Sequence, residues 1–259
     1  MSLPSELLDE IIGYLPLDDR KSLRALSLVA KSWVSPAQSR LFSLVVITER
    51  NHQSWKDTIS PANKELLSHV RWLCYSIGSR IPRGNTRLID ESFDFFPSFH
   101  RLRCLFLHST YIKSDISKRL KVFSTFRHTL SSLLLHNLTL LWSAFIVIVD
   151  YFPHVRNLEV SQPRWGIDYE QTPPLSRPLR GRLSIDMSES LALRSFADRF
   201  SGLEVEYDEL SIVGERKPRL STQHYQRIID TCGKSLKRLR LGPFTCAFRC
   251  TQDLTLSIS

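Results

Sequence analysis

The sequence predicts an α/β chain: a small helical head, residues 1–43, followed by a body, residues 44–259, built from repeating strand-and-helix units around a parallel sheet. Three observations predict it. Apolar residues in the head recur at helical spacing. The pattern apolar-x-x-Leu-x-apolar returns eight times along the chain. The stretches between these patterns carry helical periodicity of their own.

In the head, Leu3, Leu7, Leu8, Ile11, Ile12 and Leu15 form one apolar helical face. Pro4 suits a first helical position, Glu6 sits where the helix dipole favours an acid, and Pro16 ends the helix. Asp18 is the expected cap of a second helix carrying Leu23, Leu26 and Val29. Ser35-Pro36 reads as cap and first-turn proline of a short third helix holding Leu41, with Trp33 at the junction. Three short helices lie near the size below which a segment needs a partner. Their apolar residues exceed what the helices can hide among themselves, which points to binding.

The run Leu3-Pro4-Ser5-Glu6-Leu7-Leu8-Asp9-Glu10-Ile11-Ile12-Gly13-Tyr14-Leu15-Pro16, followed by Leu23-Arg24-Ala25-Leu26-Ser27-Leu28-Val29-Ala30-Lys31-Ser32-Trp33, resembles the F-box motif. The segment from Pro36 to Phe42 resembles the ending common in fungal F-box proteins, and the likeness covers residues 3–47. The resemblance implies docking on the Skp adaptor of a cullin–RING ubiquitin ligase. The matching positions are Leu3, Pro4, Leu7, Ile11, Leu15, Leu26, Val29 and Trp33. A buried apolar anchor serves a core as well as an interface. Leu7, Leu26 and Trp33 fit both roles, whereas Leu3 and Pro4, at the start, fit the interface better.

Along the body the repeated pattern runs Leu41–Leu44–Val46, Val70–Leu73–Tyr75, Leu102–Leu105–Leu107 and Leu130–Leu133–Leu135. It continues as Val155–Leu158–Val160, Arg180–Leu183–Ile185, Tyr207–Leu210–Ile212 and Leu236–Leu239–Leu241. The central leucines step by 29, 32, 28, 25, 25, 27 and 29 residues, close to the 20–29 of a leucine-rich repeat. Leu120, Phe123, Phe126 and Leu130 share a face before the fourth strand; Tyr225, Ile228, Ile229 and Cys232 do so before the eighth, with Ser221 or Thr222 as cap and Gly233 as stop. Parallel strands with right-handed crossovers follow, and stacking buries what a single unit leaves wet. The expected architecture is a curved leucine-rich-repeat-like solenoid, as in many F-box receptors. Its irregularities are Arg180 at an apolar position, the near-absence of the asparagine after each strand except Asn137, and Leu254–Leu256 arriving early. An ordinary α/β sheet with coincidental spacing is the alternative.

Strand alternation places the residues between the leucines on the opposite, concave face. From that set Trp72, Phe106, His108, His136, Glu159, Arg182, Arg238 and Arg240 are the candidate target-binding residues, with Cys74, Cys104, Asp186 and Glu209 beside them. Aromatic and arginine side chains are frequent interface anchors. Residues 161–181, with four prolines, Trp165 and Tyr169, read as a long surface loop replacing a helix. Gly78 to Thr86, with Arg80 and Arg83, reads as a second loop.

Several function classes find no support. No phosphate loop, dinucleotide fingerprint, nucleophile elbow or metal-spaced histidine pair is present, so neither a catalytic residue, a cofactor nor a metal is expected. Five cysteines form no framework and fit free thiols in the cytoplasm or nucleus. The apolar window from Leu138 to Phe152 contains Asp150 and falls short of the roughly 20 residues a bilayer span needs, so a buried helix and no membrane partner are expected. The net charge of +9 lies wholly beyond residue 47, since the head balances five basic against five acidic side chains. A basic body favours acidic partners. Lys234, Lys237, Arg238 and Arg240 lack interleaved aromatics, which disfavours nucleic acid. The expected function is therefore a substrate receptor, with the head on the Skp adaptor and the repeats on a protein target. The alternatives are a repeat scaffold unrelated to ubiquitin, with the head as its cap, and a basic nucleic-acid-binding protein.

Overall fold

The computed structural model describes residues 4–16, 19–48, 50–58, 64–76, 98–108, 111–112, 120–166, 173–187, 190–213, 222–242 and 254–257. Leu3, Tyr169 and the loop from Gly78 to Thr86 lie outside them.

The head consists of α1 (Ser5–Gly13), α2 (Arg20–Leu26) and α3 (Lys31–Ser43). Asp19, one residue after the expected cap, closes α2 by accepting from Ser22 N at 3.2 Å, and hydrogen bonding from the Ser22 side chain, then from its backbone N–H, holds the carboxyl below the usual range. The third helix is longer than expected. Ala30 is extended (φ −158°), which separates α2 from α3, and the helix then starts at Lys31 and carries Pro36 within it. Trp33 is thus inside α3, not at a junction. Pro36 removes one N–H from the helical ladder, and the helix continues because Ala37 and its neighbours pack on α1 and α2. Arg40 ties the ends together, its Nη2 donating to Leu15 O at 2.9 Å and Gly13 O at 3.1 Å.

The body is α/β with a mostly parallel sheet. Directly after α3 comes β1 (Leu44–Thr48), followed by α4 (His52–Thr58), α5 (Lys64–Ser68), β2 (Trp72–Ser76), β3 (Cys104–His108) and β4 (Tyr111–Ile112). Then come a 3₁₀ turn at Leu120–Phe126, β5 (Ser132–His136), β6 (Thr139–Leu140), α6 (Trp142–Tyr151), β7 (Asn157–Ser161) and β8 (Arg164–Trp165). The chain ends with β9 (Leu179–Asp186), α7 (Ser190–Phe200), β10 (Val205–Val213), α8 (Thr222–Cys232), β11 (Arg238–Gly242) and β12 (Leu254–Ser257). Among the described residues the main sheet has nine strands in the order β1-β2-β3-β5-β7-β9-β10-β11-β12, and β4-β6-β8 form a small parallel ladder. Strand order is sequence order. Every pairing in the main sheet is parallel except β11 with β12, and that antiparallel return explains why Leu254 and Leu256 come early, opposite Leu241 and Leu239.

The leucines align in one row. Leu73, Leu105, Leu133, Leu158, Leu183, Leu210 and Leu239 are successive partners across seven strands, each buried against the helix layer. Here the first repeat departs from expectation. Val45 and Ile47, not Leu44 and Val46, pair with Leu73 and Tyr75 and enter the core. A slip of one residue exchanges the two faces of a strand. At the sixth repeat Leu179 takes the apolar slot that Arg180 could not fill. A bulge at Asp208, opposite Gly181 and Arg182, absorbs the offset. Leu241, expected inward, is 42% exposed near the far edge of the sheet. The opposite edge is blunted, since Asn51 accepts from Thr48 N at 2.7 Å and donates to Val46 O at 2.9 Å.

Helix α6 occupies the apolar window foreseen as a buried helix, whereas the face-sharing stretch before β5 is 3₁₀. The 161–181 stretch is no free loop in its described parts. Trp165 donates from Nε1 to Ala192 O at 3.2 Å and packs against Trp142, Phe145 and Phe196. Ser176 donates through N and Oγ to Asp150, and Arg177 Nη2 to Phe152 O at 2.6 Å. Asn137 and Gln162, one residue past β5 and β7, both adopt the left-handed region (φ 49° and 48°) and bond forward to the next strand. They turn the chain toward β6 and β8.

Gly181 (φ 97°) lies where any Cβ collides with the Arg156 carbonyl, whereas a Cβ on Gly13 meets nothing. Gly181→Ala is therefore expected to destabilise the protein by about 2 kcal/mol or more. Gly13→Ala is expected to stabilise it, by up to about 1 kcal/mol. Urea denaturation of the two variants measures both.

Candidate functional site

Two surfaces collect the residues singled out in the sequence. The first is on the head. Its small core is Ile12, Leu23 and Ala37, with Leu15, Leu26, Trp33 and Leu41 packed against it. Of the expected adaptor positions, Leu15, Leu26 and Trp33 are therefore partly buried in the head itself. Pro4 is exposed, and Leu7, Ile11 and Val29 are 45%, 44% and 65% exposed. Two more large side chains, Tyr14 (80%) and Leu28 (85%), join them and were missed in the sequence. Leu28 sits in the turn after α2, where consecutive positions carry no helical period to betray which way they face. Five large hydrophobic side chains on so few residues are more than the scattered singles of an ordinary surface.

The second surface is the face of the main sheet turned away from the leucine row. Its in-register rows bring together all eight candidate target-binding residues. Trp72, Cys104, Ser132, Asn157, Arg182, Glu209 and Arg238 form one row. Cys74, Phe106, Leu134, Glu159, Ser184, Ser211 and Arg240 form the next, and Ser76, His108, His136, Ser161 and Asp186 a third. The face is graded. Toward β2 it presents Trp72, half exposed, and Phe106. Toward β11 it presents Glu209 with Arg240 Nη2 at 3.0 Å, Arg238 Nη1 at 3.8 Å and Arg182 Nε at 3.9 Å. Burial raises the Glu159 carboxyl above its ordinary range; Arg182 opposes the shift and Asp186 adds to it. Cys104 is buried, and its thiol is pushed up to about 12, which makes it a poor nucleophile.

Between these ends lies a histidine pair. His108 and His136 are register partners with ring centroids 4.7 Å apart, and Phe106 stacks on His108 at 5.9 Å. Partial burial lowers both imidazoles below the ordinary 6.5; the His136 charge adds to the shift at His108, while Asp186 opposes it at His136. Ser161 Oγ donates to Asp186 Oδ2 at 3.1 Å, so the serine and carboxylate of this row are engaged with each other. Among the described residues no group of three or more His, Cys, Asp and Glu side chains comes together to hold a metal, and no helix is long and apolar enough to cross a membrane. The arrangement suits broad contact with another macromolecule, apolar at one end and charge-paired at the other.

No protein-family model matches the chain, and no curated protein matches it.

Histidines whose folded pKa is depressed hold protons less readily than in the unfolded chain. Their contribution to stability is full above the unfolded value near 6.5 and is lost as pH falls through the folded values. The His108→Gln/His136→Gln variant is thus expected to lose less stability than wild type between neutral and mildly acid pH. Urea midpoints across that range measure the difference; parallel slopes would show that the pair contributes nothing.

Proposed function

We propose that the chain is a non-catalytic substrate receptor of a Skp–cullin–RING ubiquitin ligase. Its head is an F-box that docks on the Skp adaptor, and its body is a leucine-rich-repeat-like solenoid that holds a protein target on the graded sheet face. The observation that carries the reading is the apolar surplus of the head: its core is closed by Ile12, Leu23 and Ala37, yet Leu7, Ile11, Tyr14, Leu28 and Val29 stay in water. Burying two or three such side chains in a partner is worth several kcal/mol, about 1.5–3 each. The F-box resemblance supplies the identity of that partner. In support of the solenoid, strand order in the main sheet follows sequence order and one leucine of each repeat after the first occupies the same buried row.

In such a complex the chain works by proximity. Ubiquitin transfer occurs on other subunits, and the receptor raises the local concentration of the target there. Trp72, Phe106, His108, His136, Glu159, Arg182, Arg238 and Arg240 meet the target; the work is done in the cytoplasm or nucleus.

A pull-down tests the adaptor half. The wild-type chain is expected to retain a Skp adaptor, and Leu7→Arg/Ile11→Arg to weaken retention about tenfold or more with an unchanged melting temperature. A wild-type chain that binds no Skp adaptor, or a variant that binds as well as wild type, would leave the head as a mere structural cap.

A further inference from the structure

A further basic feature of the described residues lies outside both surfaces, along the edge where the chain enters the parallel strands. Backbone bonds line up the residues just before each strand. Arg103 N donates to Arg71 O at 2.8 Å, Ser131 N to Arg103 O at 2.9 Å, Arg156 N to Ser131 O at 2.8 Å and Arg182 N to Arg156 O at 2.6 Å. Arg71, Arg103, Ser131 and Arg156 thereby stand in one row, which ends where Arg182 of the sheet face bonds to Arg156. Three strand spacings of about 4.8 Å make it roughly 14 Å long. Arg101, His100, His128 and His154 sit in the turns beside it, all exposed. The described stretches 98–108 and 120–136 contain no acidic residue. The crowding is felt within the row: after burial, the charges of Arg101 and Arg103 are what lower the Arg71 guanidinium.

Part of this charge has a local explanation. Helices end at this edge, and cations are favoured at helix C-termini. Arg71 donates to Ser68 O at 2.6 Å, and Arg127 donates to Tyr151 O at 2.9 Å while lying over the Tyr151 ring. Those two serve the fold. Arg101, Arg103 and Arg156 make no ion pair or side-chain hydrogen bond among the described residues, so capping does not account for them.

We propose that this strand-entry edge docks an extended acidic polypeptide segment, at a site separate from the head and from the sheet face. The row is one residue wide. Its length matches about four extended residues at 3.3 Å each, and guanidinium groups pair carboxylates through two parallel bonds. The backbone N–H groups of Arg103, Arg156 and Arg182 are already bonded within the ladder, so recognition falls to the side chains and not to strand addition. A single-stranded nucleic acid, the other polyanion of this shape, wants aromatic rings between the cations. Here the row positions Arg71, Arg103, Ser131 and Arg156 hold no aromatic ring, the Tyr151 ring is covered by Arg127, and the open rings, Trp72 at one end and His128 and His154 with centroids 5.8 Å apart, stand beside the arginines and not between them.

Fluorescence anisotropy on the full chain, with labelled oligoglutamate and labelled oligothymidylate as separate probes, tests the assignment. Oligoglutamate is expected to bind and to weaken steeply as salt rises. Arg101→Glu/Arg103→Glu/Arg156→Glu is expected to weaken it about tenfold or more at low salt. The milder Arg103→Gln/Arg156→Gln should give an intermediate loss with an unchanged melting temperature, which separates lost docking from lost folding. Oligoglutamate binding that ignores both variants, no binding at low salt, or tighter binding of oligothymidylate would overturn the proposal. None of these outcomes depends on whether the head binds an adaptor.

Discussion

The buried row from Leu73 to Leu239 is the constraint from which the rest of the architecture follows. Parallel pairing in sequence order puts one leucine from each repeat after the first on the same line, and that line commits every neighbouring side chain to a face. The helix layer covers one face, with Phe126, Phe152, Phe196 and Phe200 filling the space between helices and strands. The other face is left to Trp72, Phe106, the histidine pair and the Glu209 arginine cluster. The entries of the strands are fixed by the same register, which is what collects Arg71, Arg103 and Arg156 at one edge. Sheet face and basic edge are both consequences of one alignment.

The head obeys a different balance. Three short helices enclose only a minimal core, and α3 runs without a linker into β1, so the body supplies what the head lacks in size. Even so, its first helix and the turn after α2 hold large apolar groups in water. Retaining such groups costs solubility and contributes nothing to the isolated fold. The proposed adaptor would cover them; of the positions the motif resemblance marks, Pro4, Leu7, Ile11 and Val29 are exposed, whereas Leu15, Leu26 and Trp33 pack within the head.

Much of this was legible in the sequence. The steps between Leu73, Leu105, Leu133, Leu158, Leu183, Leu210 and Leu239 marked seven strands, and alternation about them assigned the eight candidate face residues to one side. What escaped did so for physical reasons. Leu44-Val45-Val46-Ile47 is apolar in both frames, so alternation cannot choose between them; only pairing with β2 does. Arg180 read as a defect because a bulge, invisible to a fixed period, lets Leu179 fill the slot. Pro36 read as a helix start because its cost is local, whereas the packing that overrides it lies on α1 and α2. Trp165 sat among prolines that suggested a loop, yet its indole completes an aromatic cluster with residues far along the chain. Arg71, Arg103 and Arg156 are scattered in sequence, and the backbone ladder is what brings them into one row.

The most direct test of the account is hydrogen exchange of the full chain with and without a Skp adaptor. If the exposed apolar groups of the head are the docking surface, protection rises in residues 4–16 and in the turn at 27–30, while the strands of the body exchange as before. Protection confined to the body, or no change in the head at saturating adaptor, would contradict it.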